Sequence, residues 1–380
     1  MTETLDVNGP VLAAPLRSAP LAPARELYTG RPAISVQCET TTPALLSAAG
    51  ICVESQLGAV LTFAARYPVR SSMIGDVLET FGGVTGEVQH VLIDANRYAG
   101  TCRTIGASTL DLDWVDAQLR AGLRYALTDS PYIPDGDTAA LESVLAQTRA
   151  MRRPVIAALP INYLWLKNRA AQLREAINRG GVPVALMVEH KRDPMGGQAV
   201  VRGLVRVLGA EQPVLALRCD ASAIPAVPYG ASGGAIGTLS GLRHLYPLPT
   251  GAGGRPPSAR ISVWVPRLMA YISVEKVADL VQHPDIAHYF VCECTVCNGQ
   301  TLDRITTDPQ AYEHSIRALA DFATRRIGVA VTPELQRLAF DSAVRIAQFA
   351  HLEIEERTGV PMNPPDFLGA WAVAYRESLA

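Results

Sequence analysis

A chain of 380 residues with 48% hydrophobic content can bury a large core, either as one barrel-sized domain with a satellite or as two ordinary domains. Its 34 Lys and Arg against 36 Asp and Glu leave a net charge of −2, which excludes a global attraction for nucleic acid, so any such partner must meet a local basic face. No run of about 18 or more apolar residues occurs, which excludes a membrane-spanning helix, and the seven cysteines, three of them crowded between 292 and 297, suit metal ligation in a reducing compartment better than a disulfide framework. A soluble, cytoplasmic protein is expected.

Residues 1–30 read as a flexible Ala/Pro-rich leader, acidic where a signal peptide is basic and interrupted by prolines. From 31 to about 285, short apolar runs alternate with helical stretches. The runs are AISVQ (33–37), VLIDA (91–95), YALTDS (125–130), VIAALP (155–160), VALMVE (184–189), VLALRC (214–219), GAIGTL (234–239) and ISVWV (261–265). Between them, 138–151, 164–179 and 198–208 carry apolar residues three or four apart, as amphipathic helices do. Near-continuous apolar strands separated by helices imply an α/β protein with a parallel sheet covered on both faces. Eight runs would close a (β/α)8 TIM barrel; a doubly wound open sheet has the same alternation, and the barrel is preferred.

In either architecture active groups belong where strands hand over to the following loops. Asp94, Asp129, Glu189 with His190, and Asp220 stand at such ends. The plainer alternative is that each aspartate caps a helix or makes a turn with its own backbone. The segment 229–254 is dense in glycine, including Gly233, Gly234, Gly237 and Gly241, yet fits neither a dinucleotide nor a phosphate-loop pattern. It is equally a ligand-approach loop or a flexible one. Beyond Cys297 two helices are expected, 308–327 opened by Asp308-Pro309 and 333–357 opened by Thr332-Pro333-Glu334. Residues 286–380 thus form a helical appendage.

Cys292, Cys294 and Cys297 place three thiols on one tight loop, and His314, on a predicted helix, completes a tetrahedral quartet. His283 and His288 lie nearer in sequence but lack that placement. Four protein ligands leave no open position, so one structural zinc per chain is expected. Buried reduced cysteines would be the alternative for one or two residues, and three at this spacing favour the metal.

The segment from Tyr289 to Asn298, followed by Tyr312-Glu313-His314, resembles the zinc motif of tRNA-guanine transglycosylases, whose fold is a (β/α)8 barrel with the zinc subdomain near its end. The segments ending at Asp94 and running from Leu127 to Tyr132 resemble two further family motifs. The resemblance implies an acid/base or positioning role for Asp94 and a base-binding role for Asp129. Family chemistry is exchange of guanine for a 7-deazaguanine in tRNA or DNA through a carboxylate that attacks the sugar. The family's nucleophile position falls at or near Gly237, and no Asp or Glu occurs between Asp220 and Glu275. Either Asp220 supplies the attacking carboxylate, or the covalent step is lacking and the chain is a silent homologue that binds nucleic acid or partners an active subunit. Asn162, Glu189 and His190 occupy family base-recognition positions, and Arg243 is the favoured phosphate or substrate contact. The family implies a homo- or heterodimer. Lys167, Arg169, Arg174, Arg179, Lys191, Arg192, Arg325 and Arg326 could meet phosphates, although such helix-surface charges are more often only solvated.

Overall fold

The computed structural model describes residues 33–65, 71–88, 90–248 and 260–379. Eight parallel strands form one sheet: β1 (Ile34–Glu39), β2 (Gly58–Thr62), β3 (Val91–Asp94), β4 (Ala126–Leu127), β5 (Val155–Asn162), β6 (Val184–Glu189), β7 (Val214–Cys219) and β8 (Gly233–Gly237). Their order, β3-β2-β1-β8-β7-β6-β5-β4, brings first and last strands together by the β1–β8 pair, with Ile34 opposite Gly234. This is a (β/α)8 barrel, nearly closed. The helices that cover it are α1 (Thr42–Ser55), α2 (Met73–Thr85), α3 (Leu112–Arg120), α4 (Thr138–Ala150), α5 (Leu164–Gly180), α6 (Gln198–Leu208) and the single turns α7 (Ala223–Ala226) and α8 (Ser240–Arg243).

The one open seam lies between β3 and β4, and side chains seal it. Leu127 uses neither backbone group toward β5, where Ala126 and Thr128 make the ladder bonds. Instead Leu127 N–H donates to Gln118 Oε1 at 3.0 Å, while Gln118 Nε2 and Trp114 Nε1 each donate to Leu127 O at 2.9 Å. A primary amide offers a donor and an acceptor side by side, so Gln118 mimics the missing strand. Inside the barrel, Leu92, Leu127, Ile156, Met187, Leu215 and Leu217 fill the lumen with Tyr98 and Tyr132 nearer its mouth.

Seven of the eight expected runs are barrel strands. The eighth is not: ISVWV contributes β9 (Ser262–Val265), which pairs antiparallel with β10 (Ala270–Ser273) outside the barrel. The missing strand is GAVLT, β2, whose five residues are all buried. Its Gly and Ala have little strand propensity, and no turn residues bound it, so its pattern is weak in sequence.

Beyond the barrel come α9 (Val274–Val281), the short strands β11 (Val291–Cys292) and β12 (Gln300–Thr301), then α10 (Asp308–Asp321), continued by a π-helical segment over Phe322–Ile327. Helix α11 (Pro333–Thr358) begins as expected, with the Thr332 side chain accepting from Leu335 N. For α10 the cap is Thr307, and Asp308 is already the first helical residue. A third helix, α12 (Asp366–Glu377), was not evident in sequence and packs on α6. The reading of 1–30 as a leader lies outside the described residues, as does part of the glycine-rich segment, 249–254.

Candidate functional site

The barrel mouth is built from strand ends. Asp94, the last residue of β3, is buried and accepts three hydrogen bonds: from Asn96 N at 2.9 Å, Tyr98 Oη at 2.6 Å and Thr62 Oγ1 at 3.3 Å. Thr62 in turn accepts from Gln37 Nε2 at 2.9 Å. Burial pushes the Asp94 carboxyl above its usual range, against the nearby Arg218 guanidinium and these bonds, which pull it down.

Arg218 is the residue that sequence reasoning missed. It sits at a left-handed φ of 49° where the β7–β8 register shifts between Ala216 and Cys219. A bulge adds one residue to a strand of period two, so Leu217 and Arg218 both turn inward. Its backbone N–H donates to Gln37 Oε1 at 2.7 Å, Nη1 donates to Asn96 Oδ1 at 2.6 Å, and Nη2 donates to Gly241 O. The guanidinium also lies 5.4 Å from the Tyr98 ring centre. Among the described residues, its buried Nε has no hydrogen-bond partner. The one sequence signal was a lone cation inside the apolar run VLALRC. Above this floor opens a cleft of about 640 Å³, bordered by Glu39, Thr62, Asn96, Thr101, Arg218 and Tyr246.

A second cluster stands on the β4–β6 side. Glu189 is buried and bonded by Arg103 Nη1 and Tyr132 Oη, and Asn162 Nδ2 donates to it at 3.1 Å. Asn162 Oδ1 is also taken, by Leu164 N at 3.0 Å, and Arg103 stacks 4.1 Å over the Tyr132 ring. Asp129, buried, is bonded by Arg97 Nη1 and accepts from Asp111 N at 2.9 Å. Each of these expected base-binding groups is thus paired within the chain.

Gly237 stands opposite Gln37 of Asp94's network across the β1–β8 pair, while Asp220, Arg243 and His190 lie outside that network. Asp220 accepts from Ala221 N at 2.9 Å, the local turn bond anticipated for such residues. Its carboxyl is raised by burial and lowered by the nearby Arg243 cation, which stacks 3.5 Å over Tyr271. Among the described residues, no hydrogen bond joins Asp220 to Asp94. His190 Nδ1 contacts Arg192 N and O, and burial pushes His244 down to about 4. Gly237 has no room for a side chain: a Cβ there would sit 2.2 Å from Leu242 O.

Beside Asp220, burial pushes Asp193 up to about 7, against a bond from Met195 N and helped by the Asp220 and Asp366 carboxylates. A folded pKa above the unfolded value stabilises the fold at low pH, and that contribution is lost as pH rises through about 7. Asparagine keeps the acceptor that caps Met195 but carries no charge. Asp193→Asn is therefore expected to gain stability over the wild type between about pH 5 and about pH 8. Urea unfolding midpoints at the two pH values measure it; a difference that does not change with pH would refute the assignment.

Cys292, Cys294, Cys297 and His314 are all buried, with ligand atoms within 4.8 Å of one another. Cysteines 292 to 297 form a tight loop in which Cys297 N and Asn298 N both bond to Cys294 O, and Gly299 N closes back on Cys292 O at 2.9 Å. Gly299, at φ 82°, makes that reversal possible. His314 Nδ1 lies 3.1 Å from Cys297 Sγ and 3.6 Å from Cys294 Sγ. Ligands at ~2.3 Å (sulfur) and ~2.0 Å (nitrogen) from one tetrahedral ion would be about 3.5 Å apart. The donor set therefore fits a single metal ion. His314 Nε2 donates to Trp264 O at 2.7 Å, which leaves Nδ1 with its lone pair free for the metal. Trp264 N donates to Ser315 Oγ at 3.0 Å, so both groups of this β9 residue are held by α10.

No protein-family model matches the chain, and no curated protein matches it. Among the described residues, no helix is long and apolar enough to cross a membrane.

Proposed function

We propose that this chain is a transglycosylase-like barrel that binds a guanine-type base or nucleotide at its mouth without exchanging it, and that its Cys3His cluster holds one structural zinc. The observation that carries this reading is the crowding at Gly237, where the resemblance calls for a nucleophilic carboxylate and the backbone of Leu242 leaves no space for one. The pairing of Asp129 and Glu189 with arginines of the same chain adds support, because a free carboxylate is what base exchange spends. The groups that would meet a polar heterocycle are those at the rim of the cleft, Glu39, Thr101 and Tyr246, because Thr62, Asn96 and Arg218 on its floor are bonded within the chain. Zinc is chosen over other ions because three thiolates and an imidazole in a closed tetrahedral set suit it.

The exchange reading differs in needing Asp220 to attack the sugar. To test between them, purified protein is mixed with tRNA or duplex DNA carrying labelled guanine, together with candidate 7-deazaguanines. Retention of label, with calorimetric binding of free guanine or its nucleotide, is the expected result. Label release that Asp220→Asn abolishes would establish base exchange instead.

A further inference from the structure

Five strands of the barrel end in or beside an acid, and four of those acids are bonded within the chain. Asp94 accepts from Asn96, Tyr98 and Thr62, Asp129 from Arg97 and Asp111, Glu189 from Arg103, Tyr132 and Asn162, and Asp220 from Ala221. The fifth is Glu39, the last residue of β1, which makes no hydrogen bond or ion pair among the described residues. It lies two residues beyond the apolar run 33–37, so nothing in that run marks it.

The strand fixes where Glu39 points. Gln37, two residues earlier, is fully buried, donates to Thr62 Oγ1 and accepts from Arg218 N inside the barrel, and strand residues two apart share a face. Glu39 is also the register partner of Thr62, whose hydroxyl bonds Asp94. It therefore faces the mouth, half-buried, and borders the 640 Å³ cleft above Arg218. That cleft is walled by the ends of β1 and β2, the loop after β3, and the turn after β8. The resemblance instead puts base reading at Asp129, Asn162 and Glu189, on the β4–β6 side, where partners from the same chain are already in place.

A ligand that covers Glu39 strips water from the carboxylate and must replace it with donors. The two oxygens lie in one plane and accept together from two adjacent N–H groups, as in bidentate pairing. Tyr246, 44% exposed on the same cleft, offers a flat face to a ring. Thr41, the N-cap of α1, makes no cap bond with its side chain, which leaves its hydroxyl to a ligand oxygen. We propose that Glu39 is the specificity-determining residue of the mouth, selecting a planar base with a ring N–H beside an amino group, as guanine has at N1 and its 2-amino position. This rests on the base-binding reading above and moves recognition to the β1 side of the barrel. The same carboxylate rejects adenine, whose N1 lone pair would face it, and directs any phosphate of the ligand away from this part of the cleft.

Calorimetry of the metal-loaded full chain at neutral pH compares guanosine with inosine, which keeps the N1–H and lacks the amino group. The wild type should bind guanosine about 10-fold or more tighter, the weight of one hydrogen bond to a charged group. Glu39→Gln sets an amide donor against the ligand's donors, so it should weaken guanosine by a similar factor and bring the two nucleosides level. Because Glu39 bonds nothing within the chain, the urea midpoint of this variant should match the wild type. Equal binding of guanosine and inosine by the wild type, or a preference that Glu39→Gln retains, would overturn the role of Glu39 and leave the mouth a base site. Binding of neither nucleoside would overturn both that role and the base-binding reading. Release of labelled guanine from tRNA that Glu39→Gln abolishes would make Glu39 an attacking group, and would likewise overturn both.

Discussion

Cys297→Ser should lose the metal and with it the ordered C-terminal region. Cys297 is fully buried, its sulfur is the closest to His314 Nδ1, and serine is a hard, poorly deprotonated replacement for a thiolate. The consequence reaches past the cluster. His314 holds Trp264 O, and Ser315 holds Trp264 N, so the β9–β10 hairpin is attached to the helix that carries the fourth candidate ligand. Because metal binding to such a site is folding free energy, gross values of about 10 kcal/mol being typical, removing one of four ligands should lower the melting temperature by on the order of 5–10 °C. Elemental analysis should show metal falling from about one per chain to a small fraction, and calorimetry should show the lower transition. Cys102→Ser, at an exposed thiol outside the cluster, should change neither. If Cys297→Ser melted with the wild type, the quartet would be four buried side chains and nothing more.

Gly237→Asp should destabilise the barrel without conferring base exchange. It places a carboxylate at the position the family resemblance assigns to the nucleophile, and the structure says why the chain has glycine there. The new Cβ would lie 2.2 Å from Leu242 O, 2.3 Å from Leu242 C and 2.7 Å from Arg243 N. These are backbone atoms of α8, which follows β8 after two residues and folds back over the strand end. A rotamer change cannot relieve a clash with backbone, so the turn must move, at a cost of about 3 kcal/mol or more. Gly241→Asp is the matched control, because nothing lies within 4 Å of a Cβ at that position. Urea midpoints of the two variants should differ widely. A stable Gly237→Asp protein that releases labelled guanine would mean the loop yields readily, and would sink the silent reading.

Particular residues show where sequence reasoning succeeds and where it stops. Helices α4, α5 and α6 were expected within a residue or two of their observed limits, because an amphipathic period is a local property that the helix itself enforces. The metal quartet was legible for a similar reason: three of its members lie within six residues, and only His314 depended on a guess about a helix. Strand β2 was not legible, since its Gly58 and Ala59 have little strand propensity and no turn residues set it off from its neighbours. ISVWV shows the converse failure, where a convincing strand pattern says nothing about which sheet the strand joins.

The mouth divides along the same line. Asp94, Asp129 and Glu189 were identified as strand-end carboxylates, and the structure finds each of them buried near the top of its strand. That Arg97, Arg103, Tyr98 and Tyr132 would engage them depended on loops crossing the barrel, up to 86 residues away for Arg103 and Glu189. Arg218 points into the barrel because of one bulge residue, which no pattern of period two can anticipate.

By itself, then, the sequence determined the class of fold and the residues of the metal quartet, since both are written in short-range spacing and in the burial of apolar runs. Only the tertiary structure decided which run completes the barrel, that a glutamine closes its seam, and that Asp94, Asp129 and Glu189 already have partners. Those outcomes depend on contacts between residues distant in the chain, and such contacts form only when the whole core packs.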